Sequence, residues 1–456
     1  MGTIITQPGW ARLADGSLVF ADSTGDLIYD PHLRRPLARA VTHSGPRQVA
    51  GSLSGWQDGV AKLAVGNPAL VFALSLAVAA PLLDLANAAP IGVNFYARTS
   101  SGKSTALKVM TSVYGDPSKL GSWNATRTAL EISAMHANDG LLALDEFPSR
   151  PEPWRVSALM ALGNGVGWAR SNLTLTLTQA HRWRTVVASS AERSIRHFMK
   201  AAGIQLPEGA SVRMIDVPVR RWTYGLFADL HGHSNGQIFS EVLAKNAAEH
   251  HGHAGRTFMR WIIRHEASLR NDLPARVRAA EDKIREHLSQ DAPASEIGRV
   301  LHALALVAVA GEYATECGVL PWPAGTAIGA VCRIAELWIS RRDGEMPNST
   351  RDLLEKIRAN LATFCDLDQR GTARASPIGW KKGDWIYILP DALASLSGKS
   401  AQSAARDLEV EGVLKRGSEQ NCLLHRFSLP GKGGRHRVYR LRLSAIDELL
   451  READAC

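Results

Sequence analysis

The spacing of apolar and polar residues changes character along the chain, and each regime predicts a different kind of structure. Residues 1–50 are irregular, with SLVFAD and DLIYD flanking Ser-Thr-Gly, which predicts a small hairpin. From Gly51 the spacing is helical, and ALVFALSLAVAAPLL (69–83) is apolar on every face, as a buried core helix is. IGVNFYA (91–97) then reads as a strand, RTSSG breaks it, and KSTALKVMTSVYG reads as a helix ending at Gly115. TRTALEISAMHAND and WRVSALMALGNG are further helices, while GLLALD (140–145), LTLTLT (173–178) and RTVVASS (184–190) read as short strands. Apolar strands alternating with helices predict an α/β fold with a parallel sheet core. The pattern from 236 to 365 is helical, with IGRVLHALALVAVAGEYATECG as its clearest apolar stretch. From 366 to 456, WIYILP, two short helices and RHRVYRLRL predict a C-terminal winged helix-turn-helix. The expected organisation is an N-terminal remnant (1–50), the α/β core (51–235), a helical region (236–365) and the winged helix (366–456).

Composition narrows the class. At 45% hydrophobic and 21% charged, the chain has globular makeup, which excludes a disordered or collagen-like protein. The five cysteines are widely spaced with no Cys-x-x-Cys pair, so neither a disulfide framework nor a cysteine zinc site is encoded; a reducing, cytoplasmic setting is expected. The 15-residue apolar run contains Pro81, stops before Asp84 and falls short of the roughly 20 residues that a span requires, so no membrane partner is expected. The formal net charge is +9, and between Arg370 and Arg442 stand 14 lysines and arginines against 6 acids, leaving the remainder almost neutral. An excess confined to one segment points to an acidic polymer, most simply nucleic acid. A histidine-rich patch (His231, His233, His250, His251, His253) is split by a predicted helix, which argues against a metal site.

The chemistry concentrates between residues 97 and 190. A phosphate loop needs a strand feeding it, small residues that let backbone N–H groups face the phosphates, and a helix N-terminus behind it. Ala97-Arg-Thr-Ser-Ser-Gly-Lys-Ser-Thr105 has all three. Ala97, Ser100, Ser101, Gly102, Lys103, Ser104 and Thr105 are the candidate nucleotide contacts, Lys103 reaching the β- and γ-phosphates of ATP and Ser104 binding Mg²⁺. Asp145 and Glu146 follow 42 and 43 residues after Lys103, at the end of an apolar strand. There an Asp is delivered toward Mg²⁺, and the adjacent Glu polarises the attacking water. The next strand ends in Ser189 and Ser190, either of which can orient that water. The charge developing on the γ-phosphate calls for a cation, often an arginine from a neighbouring subunit. Arg213 is favoured for that role; Arg193 is another candidate, and Arg299, at the head of the apolar helix, is a candidate second sensor.

In order along the chain, GWQDGVAKLAVGNPALVFALSLAVAAPLL, SSGKSTALKVMTSVYGDP, SWNATRTALE, NDGLLALDE, GNGVGWAR, HRWRTVVASSAE, VRMIDVP, EYATECGVLPWPAG and GRHRVYRL resemble the domain-of-unknown-function 927 family. These are helicase-like AAA+ P-loop ATPases of phages, plasmids and other mobile elements. The resemblance implies a ring-forming replicative helicase, related in plan to superfamily-three and minichromosome-maintenance motors, with a homo-oligomeric ring, a hexamer by analogy, and replication proteins as partners. It makes Ser190 or Ser189 the sensor 1 residue. This chain departs from the family at Ala97 and Ala191, where a Gly is expected, and at Trp168, where a Lys is expected.

In related ring helicases a hairpin between the acid pair and sensor 1 projects into the central pore, a place held here by GWARSNLTLTLTQAHRWR. Arg170, His181 and Arg182 are its candidate phosphate contacts and Trp168 a candidate base stacker, with Trp168 and Trp183 as core residues the alternative. In the C-terminal segment, Lys381 and Lys382 beside Trp380, and Lys432, Arg435 and Arg437 in a glycine-rich wing, are the candidate contacts to duplex DNA. The expected activity is ATP-dependent unwinding or translocation on single- and double-stranded DNA. The alternatives are a loader or initiator that remodels a protein–DNA complex, and an inactive ATP-binding adaptor.

Overall fold

The computed structural model describes residues 3–32, 36–42, 49–97, 100–148, 152–168, 170–171, 177–178, 180–201, 213–219, 222–288, 295–340, 348–367, 378–415, 417, 423–428 and 435–454. The chain divides into two compact units, the first built from Met1–Arg220 and Tyr224–Trp338, the second from Arg221–Thr223 and Ile339–Cys456.

The first unit opens with short strands β1 (Thr3–Ile5), β2 (Gly9–Arg12), β3 (Leu18–Ala21), β4 (Leu27–Ile28) and β5 (Ala38–Ala40). β2, β3 and β4 form an antiparallel meander, and β1 pairs in parallel with β5. Helical turns over Leu53–Ala64 lead into α1 (Pro68–Ala79), in which every residue from Ala69 to Ala79 is buried. An element apolar on all sides is stable only when wrapped by protein. α1 is wrapped accordingly: it packs on α2 (Lys103–Ser112) and on α8 (Ser295–Glu316).

The central sheet is made of β6 (Ile91–Tyr96), β7 (Gly121–Ser122), β8 (Leu141–Phe147), β11 (Val186–Ala191) and β12 (Met214–Pro218), all parallel, in the order β12-β6-β11-β8-β7. β11 therefore lies between β6 and β8, although it follows both in the chain. Helices α2, α3 (Arg127–His136), α4 (Pro153–Asn164) and α5 (Ile195–Ala201) connect the strands. Burial on both faces explains why β6, β8 and β11 read as continuous apolar runs. Between α4 and β11, β9 (Arg170–Ser171) pairs antiparallel with β10 (Leu177–Thr178) in the expected hairpin. Most of LTLTLT, residues 173–176, lies outside the described residues.

After β12, helices α6 (Gly236–Glu249), α7 (His253–Leu288), α8 and α9 (Thr326–Ser340) complete the first unit. By length and composition, Ile297–Glu316 of α8 could cross a membrane, but 72% of that window is buried against the rest of the protein.

The second unit contains α10 (Asn348–Ala359), β13 (Cys365–Asp366), β14 (Gly379–Lys382), β15 (Trp385–Ile388), α11 (Pro390–Ser397), α12 (Ala401–Val410), β16 (Leu414–Lys415), β17 (His425–Ser428), β18 (Arg435–Arg442) and α13 (Leu443–Asp454). Its sheet runs β13-β14-β15-β18-β16, with β17 also on β18. Leu353, Leu354 and Ile357 of α10 share one core with Ile386, Leu408, Leu441 and Ile446, so α10 packs with the C-terminal residues, whereas the sequence reading placed it in the helical region.

Candidate functional site

The site lies where β6, β8 and β11 end, the edge at which parallel α/β sheets bind ligands. β6 runs through Asn94 into the buried Ala97, whose N–H donates to the Ala191 carbonyl. Arg98 and Thr99 lie outside the described residues. Ser100 (φ 59°) and Gly102 (φ 91°) both take left-handed backbone, and this double reversal turns the chain into α2. A Cβ on Gly102 would stand 3.1 Å from Leu226 Cβ, so packing as well as dihedral angle favours glycine there. Lys103 opens α2, and its ammonium donates to the Ala97 carbonyl at 2.6 Å and to Ser101 Oγ at 3.3 Å. Ala97 is used through its carbonyl and is absent from the positive-φ positions, so alanine serves in place of glycine at the first position of the loop.

The loop is braced from the far side of the sequence. Leu226 N–H donates to the Ser101 carbonyl at 2.9 Å, Gly225 packs against Ser101, and the hydroxyls of Thr105 and Ser240 are hydrogen-bonded.

Three side chains and one backbone N–H converge next to Lys103. Ser104 Oγ donates to Asp145 Oδ1 at 3.2 Å, and Ser190 Oγ donates to the same oxygen. Ser190 Oγ also accepts the backbone N–H of Glu146 at 2.9 Å. Glu146 is exposed and has φ 62°, a strained conformation for a carboxylate residue at a strand end. The Ser190 hydroxyl thus helps hold Glu146 in that conformation. The two serines at the end of β11 have separate tasks: Ser189 points the other way, its Oγ accepting from the buried Trp123 Nε1 at 2.8 Å.

The sequence reading missed a polar pair behind the site. Asn94 of β6, fully buried, donates from Nδ2 to Asp216 Oδ1 on β12 at 2.7 Å, and the N–H of Ile195, the first residue of α5, donates to the same oxygen at 3.0 Å. Burial pushes the Asp216 carboxyl from 3.8 up to about 6 despite the opposing hydrogen bonds from Asn94 and Ile195. The signal was one polar letter inside each of two apolar strands, IGVNFY and MIDVP.

Arg213 immediately precedes β12, next to the start of β6, and packs against α4 where a Cβ on Gly163 would stand 2.8 Å from Arg213 Cβ. It is at the end of the sheet opposite Ala97, about 20 Å from it along the strands at roughly 3.3 Å per strand residue. Arg193 lies in the turn between β11 and α5, at the same end as the phosphate loop. Arg299 is exposed near the head of α8.

The hairpin leaves that opposite end. Val166 bridges Arg182, and Gly167 N–H donates to the His181 carbonyl at 2.8 Å. Arg182 and His181 are exposed, whereas only the backbone of Arg170 is described. Trp183 is core, with Nε1 donating to the Leu162 carbonyl. Trp168 packs against the same cluster and carries the Arg127 guanidinium 3.4 Å above its ring.

In the second unit, Lys382 is exposed, Lys381 stands 3.9 Å from Asp366, and Arg435 and Arg437 are exposed on β18. Lys432 and the wing glycines lie outside the described residues. Arg426 of β17 faces Arg437 directly, a contact that sequence spacing did not reveal.

The histidine patch is bound to backbone at several points: His231 Nε2 lies 2.9 Å from the Val65 carbonyl and His253 Nε2 3.1 Å from that of Gly51, while His250 Nδ1 accepts Ser52 N–H. Among the described residues no group of three or more His, Cys, Asp or Glu is assembled for a metal. The hydroxyl and carboxylate oxygens of Ser104 and Asp145 are hard ligands of the kind that Mg²⁺ completes with phosphate oxygens and water.

The family described as Domain of unknown function (DUF927) matches residues 4–182, a stretch that takes in Lys103, Asp145 and Glu146 and ends before β11. No curated protein matches the chain. Over 97% of its length the chain is similar to a solved structure described as "SCCmec type IV Cch - active helicase", covering 80% of that chain at 16% identity with a TM-score of 0.55. The chain thus shares the fold of that helicase, a mixed α/β architecture built on a parallel sheet.

Proposed function

We propose that the chain is an ATP-dependent DNA helicase or translocase of the AAA+ P-loop class, acting in replication of a mobile genetic element. The observation that carries this reading is the convergence of the Ser104 and Ser190 hydroxyls on one oxygen of Asp145, beside Glu146 and Lys103. The position of β11 between the loop strand and the acid-pair strand supports the additional-strand reading. The likeness to a solved helicase supports the output.

In this mechanism the loop N–H groups and Lys103 bind the ATP phosphates, and α2 presents its positive end to them. Mg²⁺, when bound, neutralises charge on the phosphates; Ser104 and Asp145 would hold it. Glu146 accepts the proton of the attacking water, and Ser190 fixes the Glu146 backbone for that task. Arg213 is remote from its own loop and would act on a neighbour's nucleotide, which makes a ring, with a hexamer as the proposed size, part of the proposal. Arg170 and Arg182 on the hairpin would meet the strand in the pore, and the second unit, read as a winged helix, would meet duplex.

Hydrolysis of ATP with and without single-stranded DNA tests the reading. DNA should raise turnover, and Glu146→Gln should lower it by a factor of about 100 or more while nucleotide binding persists. Turnover indifferent to DNA would overturn the motor. The exposed Arg426, Arg435 and Arg437 also favour a second reading, an initiator or loader held on duplex DNA. Failure to displace a strand from a forked substrate, with DNA-stimulated hydrolysis intact, would favour it.

A further inference from the structure

The sheet of the second unit has two unlike faces. Tyr439 and Leu441 of β18 enter the core formed with the helices of that unit. By strand alternation, Val438, Arg440 and Arg442 point to the other face. Register places Trp385 opposite Arg442, Tyr387 and Lys415 opposite Arg440, Lys382 opposite Trp385, and Phe427 opposite His436. This second face carries cationic and aromatic side chains around a small buried cluster of Trp380, Tyr387 and Val438, against which the partly buried Trp385, Phe427 and Leu367 pack. The Arg440 guanidinium lies 3.9 Å above the Trp385 ring centre, Lys415 Nζ lies 5.6 Å from the same centre, and Tyr387 stacks on Phe427 at 4.4 Å.

The cations are poorly compensated. Arg442 is paired with Asp384 at 3.1 Å, but no ion pair joins Lys415 or Arg440 to a carboxylate among the described residues. Arg440 Nε is buried and has no hydrogen-bond partner. Burial, together with Arg440 and Arg442, pushes the Lys415 ammonium below its ordinary range. Like charges placed directly opposite on paired strands weaken a sheet, so Lys415 facing Arg440 costs stability in the free protein. A guanidinium over an indole ring still has N–H donors at its edge, and these suit a phosphate oxygen.

We infer that this face binds a single nucleic-acid strand, with phosphates met by Lys415 and Arg440 and bases laid against Trp385 and Phe427, while Arg442 is held by Asp384 and the Thr223 carbonyl. Charge decides the class of ligand: the unpaired groups are cations, and the flat groups beside them are aromatic, a combination that suits a polyanion carrying bases. The face is distinct from the wing, because Arg426, Arg435 and Arg437 alternate to the opposite side of β17 and β18. The inference rests on the nucleic-acid part of the proposed function and not on hydrolysis.

The test is fluorescence anisotropy of the full chain with labelled 25-nucleotide oligo-dT across a salt series. Lys415→Gln should weaken binding five- to tenfold and lower the slope of log affinity against log salt by about 0.7, the value for one phosphate contact on a single strand. Phe427→Ala should weaken binding by a similar factor and leave the slope unchanged. Arg437→Ala, on the other side, should reduce affinity for a 25-base-pair duplex more than for oligo-dT. An unchanged melting temperature shows that each variant is folded; if Phe427→Ala does not fold, Lys415→Gln carries the test. Oligo-dT affinity and slope unchanged in folded Lys415→Gln would overturn the sheet-face site and leave the proposed motor standing. Equal competition by polyglutamate of matching charge would overturn the nucleic-acid assignment. A wild-type chain that binds no DNA would overturn both this inference and the proposed function.

Discussion

At the scale of residues, two adjacent serines separate chemistry from architecture. Ser190→Ala removes the hydroxyl that joins Asp145 to the Glu146 backbone, so turnover should fall about 10- to 100-fold, equivalent to roughly 1–3 kcal/mol, with little change in nucleotide affinity. Ser189→Ala leaves Trp123 Nε1 buried without an acceptor, so it should lower unfolding free energy by about 1–3 kcal/mol and spare the rate per folded molecule. Chemical denaturation together with phosphate-release kinetics separates the two. Asp216 has a pH signature of its own. Its carboxyl is raised from 3.8 to about 6, so between those values the folded protein holds a proton that the unfolded chain has released. Asp216 therefore contributes a fall in stability as pH rises from about 4 to 6. Asp216→Asn should flatten that part of the stability–pH curve, as read by thermal melts in matched buffers.

At the scale of elements, the legible parts were those written locally. The strand–loop–helix from Ile91 to Ser112 and the strand ending in Asp145 and Glu146 each announce themselves by an apolar run that stops at chemistry. What lay hidden depends on pairing across long separations. Asn94 meets Asp216 across 122 residues, and Arg127 covers a tryptophan that sequence spacing offered to nucleic-acid bases. No local period encodes either contact. The same holds for α10, whose amphipathic pattern is equally compatible with any core until Leu353 and Ile357 are seen beside Leu408. The hairpin carries an element-scale prediction: Arg182→Ala should abolish stimulation of hydrolysis by single-stranded DNA and keep the DNA-free rate, and persistence of stimulation would remove the pore role. On the wing, Arg426 faces Arg437, so Arg426→Gln should raise the melting temperature slightly while weakening duplex binding.

At the scale of the whole molecule, the parallel sheet keeps Lys103, Asp145 and Glu146 at one end and Arg213 at the other. A chain built this way cannot place its own Arg213 on its own nucleotide. Mixing inactive Lys103→Ala and Arg213→Ala chains should therefore restore turnover, since in closed rings of random composition about one interface in four has both groups intact. No recovery on mixing would end the trans assignment. The brace on the phosphate loop has a mechanical corollary. Ser101 and Thr105 are tied to Leu226 and Ser240, and Ser240 belongs to α6. On the proposed reading, Ser101 cannot shift without Leu226, nor Thr105 without Ser240 of α6, unless these bonds break. On the proposed hydrolytic reading the loop is thus coupled to α6, so that a displacement of one during turnover would be carried to the other.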